Sequence, residues 1–165
     1  MIIAISGASG VGKTTALKTL AEKLADNPKI KVLHFDDMGM PNWDEVEDPQ
    51  KWQEDATVAW VDKLVKTARE ENVHVLFEGS TDFRFYVQGF EQNGFSDYQL
   101  FLFDCSEETM KTRLIQRGQA ELYQPDMVGW LNYLRREAIA QEIEIIKTDQ
   151  LSIVEIGQHI IRALP

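Results

Sequence analysis

Residues 7–14 read Gly7-Ala8-Ser9-Gly10-Val11-Gly12-Lys13-Thr14, a complete match to G-x-x-x-x-G-K-[ST]. The run before it, Ile2-Ile3-Ala4-Ile5, is short, apolar and rich in β-branched residues, which predicts a buried strand. After it, Leu17, Leu20, Ala21 and Leu24 recur at the spacing of one helical face, predicting a helix over 13–25 that Asn27-Pro28 stops. Strand, glycine turn and helix form the setting in which such a loop wraps a phosphate. Its backbone N–H groups curl inward, and the helix N-terminus adds partial positive charge. Gly7, Ala8, Ser9, Gly10, Val11, Gly12, Lys13, Thr14 and Thr15 are therefore the expected contacts of a nucleoside triphosphate. Lys13 is expected on the β/γ-phosphates and the Thr14 hydroxyl on Mg²⁺.

Outward from the loop, strands are expected at 30–35, 73–77 and 98–103. Helices are expected at 51–71, from the N-cap Ser106 onward, at about 126–141, and from the N-cap Ser152 to Leu164. Residues 143–146 read as either a helix end or a fifth strand. This alternation predicts an α/β P-loop NTPase fold of the nucleotide-kinase-like kind, an about five-stranded parallel sheet sandwiched by helices. Residues 1–165 are expected to form a single domain with a short helical lid over about 113–130. Parallel sheets bind ligands at the carboxyl ends of their strands, so the chemistry is expected just after Ile5, Phe35, Phe77 and Phe103.

Composition narrows the classes. The chain has 165 residues, a formal net charge of -10, 44% hydrophobic and 27% charged residues, an ordinary globular balance. No apolar run approaches the roughly 18 residues of a membrane span. The N-terminus has no basic segment before its apolar run, so no signal peptide is expected. One cysteine, Cys105, cannot pair internally, which fits a reducing cytoplasm. The acidic balance weighs against nucleic acid and anionic membranes as partners. The expected partner is a small-molecule phosphoryl acceptor, and the expected assembly a monomer or homodimer. His34, His74 and His159 do not cluster in sequence, and no zinc site is read from them.

Three branches of phosphate-loop protein can be tested on these residues. A GTPase needs N-K-x-D, which is missing, and a switch segment for which the 22 residues between Lys13 and Asp36 leave no room. A remodelling ATPase carries an Asp-Glu pair after a buried strand, whereas Val75-Leu76-Phe77-Glu78-Gly79 offers one acid. A small-molecule kinase needs an acceptor-side carboxylate, and Asp36 and Asp37 stand where the second strand ends. Glu78 follows the buried third strand and can hold a Mg²⁺-bound water or the acceptor. From Lys111 to Arg136, five basic residues (Lys111, Arg113, Arg117, Arg135, Arg136) face two acids (Glu121, Asp126), a net +3 in an acidic chain. Arg113 and Arg117 are i,i+4 and are expected to aim together at the transferring phosphoryl. Trp43, Trp52 and Tyr86 are candidates for stacking on an acceptor ring, and Arg84 for an acceptor phosphate.

On these residues the chain resembles the uridine kinase and nicotinamide riboside kinase group of phosphate-loop kinases. The resemblance covers residues 7–14, His34-Phe35-Asp36-Asp37, Leu76-Phe77-Glu78-Gly79 and Arg113-Leu114-Ile115-Gln116-Arg117. It extends to Pro125–Arg136 and to Lys147–Ile153, a loop that lies near the adenine in such kinases. It implies ATP- and Mg²⁺-dependent transfer of the γ-phosphoryl group to a hydroxyl of a small metabolite, a nucleoside first. By position it makes Asp36 the base, Glu78 the Mg²⁺-side acid and Arg117 the main lid arginine. Asp37, next to Asp36, is a further metal-side candidate, expected to serve Mg²⁺ through water. The alternatives are a nucleoside monophosphate kinase, or an ATP-binding ATPase or regulatory module without an acceptor. A polynucleotide kinase fits poorly, since 38–55 offers one Lys among many carboxylates.

Overall fold

Five parallel strands hydrogen-bond in the order β2-β3-β1-β4-β5. They are β1 (Ile2–Ser6), β2 (Ile30–His34), β3 (His74–Gly79), β4 (Tyr98–Asp104) and β5 (Glu144–Lys147). The structure is a computed structural model and describes every residue except Met40 and the side chain of Trp43. The ambiguous run near 143–146 is a strand: Glu144 to Lys147 pair in register with Phe101 to Asp104. The central strand β1 lies between β3 and β4 and is buried throughout. This is why its sequence is continuously apolar rather than alternating.

Successive residues of β1 point to opposite faces and so feed two separate cores. Ile3 and Ile5 pack with Leu17 and Leu20 of α1 (Lys13–Lys23), Met110 and Leu114 of α4 (Glu107–Gln116), and Ile156 and Ile160 of α6 (Ile153–Arg162). Ile2 and Ala4 pack with Trp60 and Leu64 of α2 (Pro49–Glu71), Phe83 and Phe90 of α3 (Phe83–Gln92), and Leu134 and Ala138 of α5 (Pro125–Ala140). Among the described residues no helix is long and apolar enough to cross a membrane.

Helix α3 departs from expectation, for no element was expected over 79–95. Asp82 starts it, its carboxylate accepting from the Arg84 backbone N–H at 2.9 Å. Gly89 in its interior lets it press on α2: a Cβ there would lie 2.7 Å from the Val61 Cβ. α2 starts two residues earlier than expected, with Asp48 as N-cap and Pro49 in the first turn. After β4, Gly118 (φ 69°) follows the end of α4. A 3₁₀ turn (Ala120–Leu122) then leads to Pro125 and α5.

Candidate active site

The phosphate loop crosses the carboxyl end of β1. Gly12 caps α1 in the left-handed region (φ 100°), which a side chain would oppose. A Cβ on Gly7 would meet the Phe103 carbonyl oxygen at 2.6 Å, so only glycine lets the loop lie this close to β4. Lys13 is 8% exposed, and its Nζ donates to the carbonyls of Gly7 (2.8 Å) and Ala8 (3.2 Å). Burial pushes the Lys13 ammonium below its ordinary pKa. Glu78 and Asp36 pull it back up, and Arg117 adds to the depression. These four charges face one another across a recess of about 270 Å³ whose walls include Thr14, Gly79 and Ser80.

Glu78 is the hub of that recess. It is 6% exposed, and its Oε1 accepts from the Thr14 hydroxyl (2.9 Å) and lies 2.9 Å from His34 Nδ1. The register explains the second contact, since His34 of β2 stands beside Glu78 of β3. A hydroxyl and a carboxylate oxygen, side by side at the phosphate loop, are hard donors. They suit Mg²⁺, which takes its other ligands from water and substrate phosphates. Among the described residues no group of three His, Cys, Asp or Glu side chains could hold a metal alone.

The Asp pair splits. Asp36 lines the recess, whereas the Asp37 carboxylate turns back and accepts from the His34 backbone N–H at 3.1 Å. It closes the 3₁₀ turn Phe35–Met38. The two arginines also separate. Arg117 lines the recess, but Arg113 donates from NH1 to the Val11 carbonyl and the Thr148 hydroxyl, and from NH2 to the Thr148 carbonyl, each at 3.0 Å. Arg113 therefore braces the phosphate loop against the segment after β5 rather than aiming with Arg117. An i,i+4 spacing put both on one helix face but could not show that one face met a row of carbonyls. A neighbouring slot of about 310 Å³ shares Gly10, Gly12, Thr15 and Arg117 with the recess. Arg113, Leu151 and Ile153 also line it, so the tail segment 147–153 reaches the loop.

Sequence reasoning passed over the β3–α3 loop, which holds the site's far wall. The Ser6 hydroxyl donates to the Thr81 carbonyl (2.5 Å), and the Thr57 and Thr81 hydroxyls meet at 2.7 Å. The Gln53 amide donates to the Ser80 carbonyl, and the Trp130 indole N–H to the Ser80 hydroxyl, each at 3.1 Å. Gly79-Ser80-Thr81 directly after a buried strand was the available signal. Of the aromatic candidates, Tyr86 is corrected: it is wholly buried in the core, edge-on to Phe77, and cannot stack on an acceptor. Trp52 packs edge-on to Phe35 and lines a separate recess with Met38 and Trp60. The Trp43 side chain lies outside the described residues. Arg84 grips Asp82 instead of standing free.

The sequence profile of the AAA domain family matches residues 3–128. No curated protein matches the sequence significantly. Among solved structures, a sugar kinase from Janibacter sp. HTCC2649 is similar with a TM-score of 0.73 at 14% identity, covering 99% of this chain and 93% of that one. A tunicamycin resistance protein from Deinococcus radiodurans is similar with a TM-score of 0.66 at 25% identity, covering 96% and 92%. The first of these likenesses speaks to the fold alone.

Proposed function

Because the chain belongs to the AAA domain family, whose match spans the phosphate loop, Asp36, Glu78 and Arg117, we propose that it is a small-molecule kinase. It would move the γ-phosphoryl group of ATP to a hydroxyl of a small metabolite, with nucleosides as the first class to test. The observation that carries this reading is the convergence of Lys13, Asp36, Glu78 and Arg117 on one recess at the phosphate loop. A protein that only bound nucleotide would have no need of an acceptor-side carboxylate there. One of the two similar structures is a sugar kinase, which is consistent with a small-molecule acceptor.

In this mechanism the backbone of residues 7–14 and the Lys13 ammonium hold the β- and γ-phosphates. Asp36 accepts a hydrogen bond from the acceptor hydroxyl, orients its oxygen at the γ-phosphorus, and takes the proton late in the transfer. Arg117 neutralises charge on the equatorial phosphoryl oxygens. Thr14 and Glu78 would hold Mg²⁺, which supplies charge neutralisation on the phosphates when bound. His34 fixes the Glu78 carboxylate from behind. On this reading residues 1–165 act as one domain, with 113–130 as the lid that carries Arg117 over the donor.

The test is ADP formation from Mg²⁺-ATP against a panel of nucleosides, sugars, nucleoside monophosphates and short oligonucleotides. A small ring alcohol should raise ADP formation well above the rate without acceptor. Nucleotide-dependent ADP formation that no acceptor changes would turn the reading towards an ATPase or regulatory module.

A further inference from the structure

A second recess, of about 470 Å³, lies between α2, the β3–α3 loop and α5. Its size is that of an ordinary small-molecule site. Ser80 links it to the phosphate-loop recess through hydrogen bonds. Ser80 lines the latter, while Gln53 and Trp130, which hold the Ser80 carbonyl and hydroxyl, line the former. The two recesses are thus joined through the residues that hold Ser80.

The walls of this recess have a definite chemistry. One face of α5 supplies Asp126, Gly129, Trp130 and Tyr133, at i, i+3, i+4 and i+7. The two rings stack with centroids 5.3 Å apart and planes 15° apart. Gly129 leaves the helix surface open, with nothing within 4 Å of where its Cβ would be. Across from them Gln53 offers a neutral amide. The single cation among the lining residues, Arg84, is engaged: its Nε bridges both Asp82 oxygens at 3.1 Å and its NH2 donates to Oδ2 at 2.7 Å. The Asp82 side chain is 4% exposed and also accepts from the Tyr133 hydroxyl at 2.5 Å. With that pair neutralised, the charge left on the walls is the carboxylate of Asp126.

Resting on the phosphotransfer reading, we propose that the acceptor is a hydroxylated ring compound bearing a protonated amine, seated in this second recess against Trp130 and Asp126. An anionic acceptor would give up its hydration to face the Asp126 carboxylate, and the one guanidinium there already has its charge paired with Asp82. A cation there gains the carboxylate and the Trp130 ring, since Tyr133 is already engaged by Trp130 and by the Arg84 guanidinium 6.0 Å from its centroid. The flat, carbon-rich surface of Trp130 suits the apolar face of a ring.

The experiment compares matched ring alcohols as acceptors with Mg²⁺-ATP: glucose, glucosamine and glucose 6-phosphate, then an inositol, its amino counterpart and its phosphate, with adenosine and adenosine monophosphate as a further pair. In the glucose and inositol sets the amine should show a KM about tenfold or more below its neutral partner, and in all sets the phosphate should give no acceptor-dependent ADP formation. Asp126→Asn, an exposed change, should erase that preference by raising the KM of the amine about tenfold. Preference for a phosphorylated acceptor, equal KM values for amine and neutral partner, or an Asp126→Asn variant that keeps the preference would each overturn the charge assignment while leaving the kinase reading in place. Acceptor-independent ADP formation with every compound would overturn both.

Discussion

Asp36 owes its place to the residue before it. Phe35 is wedged among Trp52, Trp60 and Phe77 at centroid distances of 6.2–6.4 Å, and its carbonyl accepts from the Trp60 indole at 3.0 Å. This anchor ends β2 and leaves the next side chain facing the recess. Asp36→Asn keeps that packing and one acceptor oxygen but cannot take a proton. Turnover should fall about a hundredfold or more while ATP affinity stays near normal, as acceptor-dependent rates and a nucleotide titration would show. Asp37→Asn should fall less, since Asp37 closes a backbone turn. The arginines should part in the same way. Arg117→Ala should lower kcat by an amount equal to roughly 3–4 kcal/mol and weaken ATP binding far less. Arg113→Ala should lower stability by about 1–3 kcal/mol, read from urea midpoints, because it removes the three hydrogen bonds that tie α4 to Val11 and Thr148, leaving only the direct bond from the Thr148 hydroxyl to the Val11 carbonyl. If Arg113→Ala unfolds like the parent protein, the brace has no energetic weight.

Element by element, legibility in the sequence followed the length of the local signal. The phosphate loop, β1 and α1 could be read because pattern, turn chemistry and periodicity agree over a short span. Likewise β5 was ambiguous because four residues after a helix carry no period of their own, and pairing with β4 decided the matter. α3 escaped although Phe83, Tyr86, Val87 and Phe90 carry a helical period and Asp82 caps it. Gly89 in its interior speaks locally against a helix, and only the close approach of α2 explains it. Gly89→Ala should therefore destabilise despite the better helix propensity of alanine. The added methyl must displace Val61, at about 1–3 kcal/mol, and thermal or urea unfolding would measure it. The same limit hid Ser80, Trp130 and Tyr133, whose roles depend on α5 meeting the β3–α3 loop across many intervening residues.

For the whole molecule, stability should depend on pH through carboxylates that tie separate elements. Burial pushes Asp82 upward, but hydrogen bonds from Arg84 and Tyr133 outweigh it and hold its pKa below the ordinary value. Asp149 behaves alike, its burial outweighed by the Ser106 N–H that it receives at 2.7 Å. Unfolded, both return to about 3.9. A group depressed in the folded state stabilises above its unfolded pKa and loses that contribution as pH falls through the folded one. Urea midpoints should stay level from about pH 7 to 5 and drop below about pH 4. Asp82→Asn should lower the plateau and flatten the acid limb. The sheet order has a consequence for synthesis. β1 is central, yet its partners β3 and β4 follow far later in the chain. With roughly seventy residues to be made before β3 emerges, at about 5–20 residues per second, Ile2–Ser6 would wait some 4–15 s on the ribosome with both edges open. A five-residue segment buried on both faces in the finished protein is thus the stretch a nascent-chain chaperone has most reason to shield.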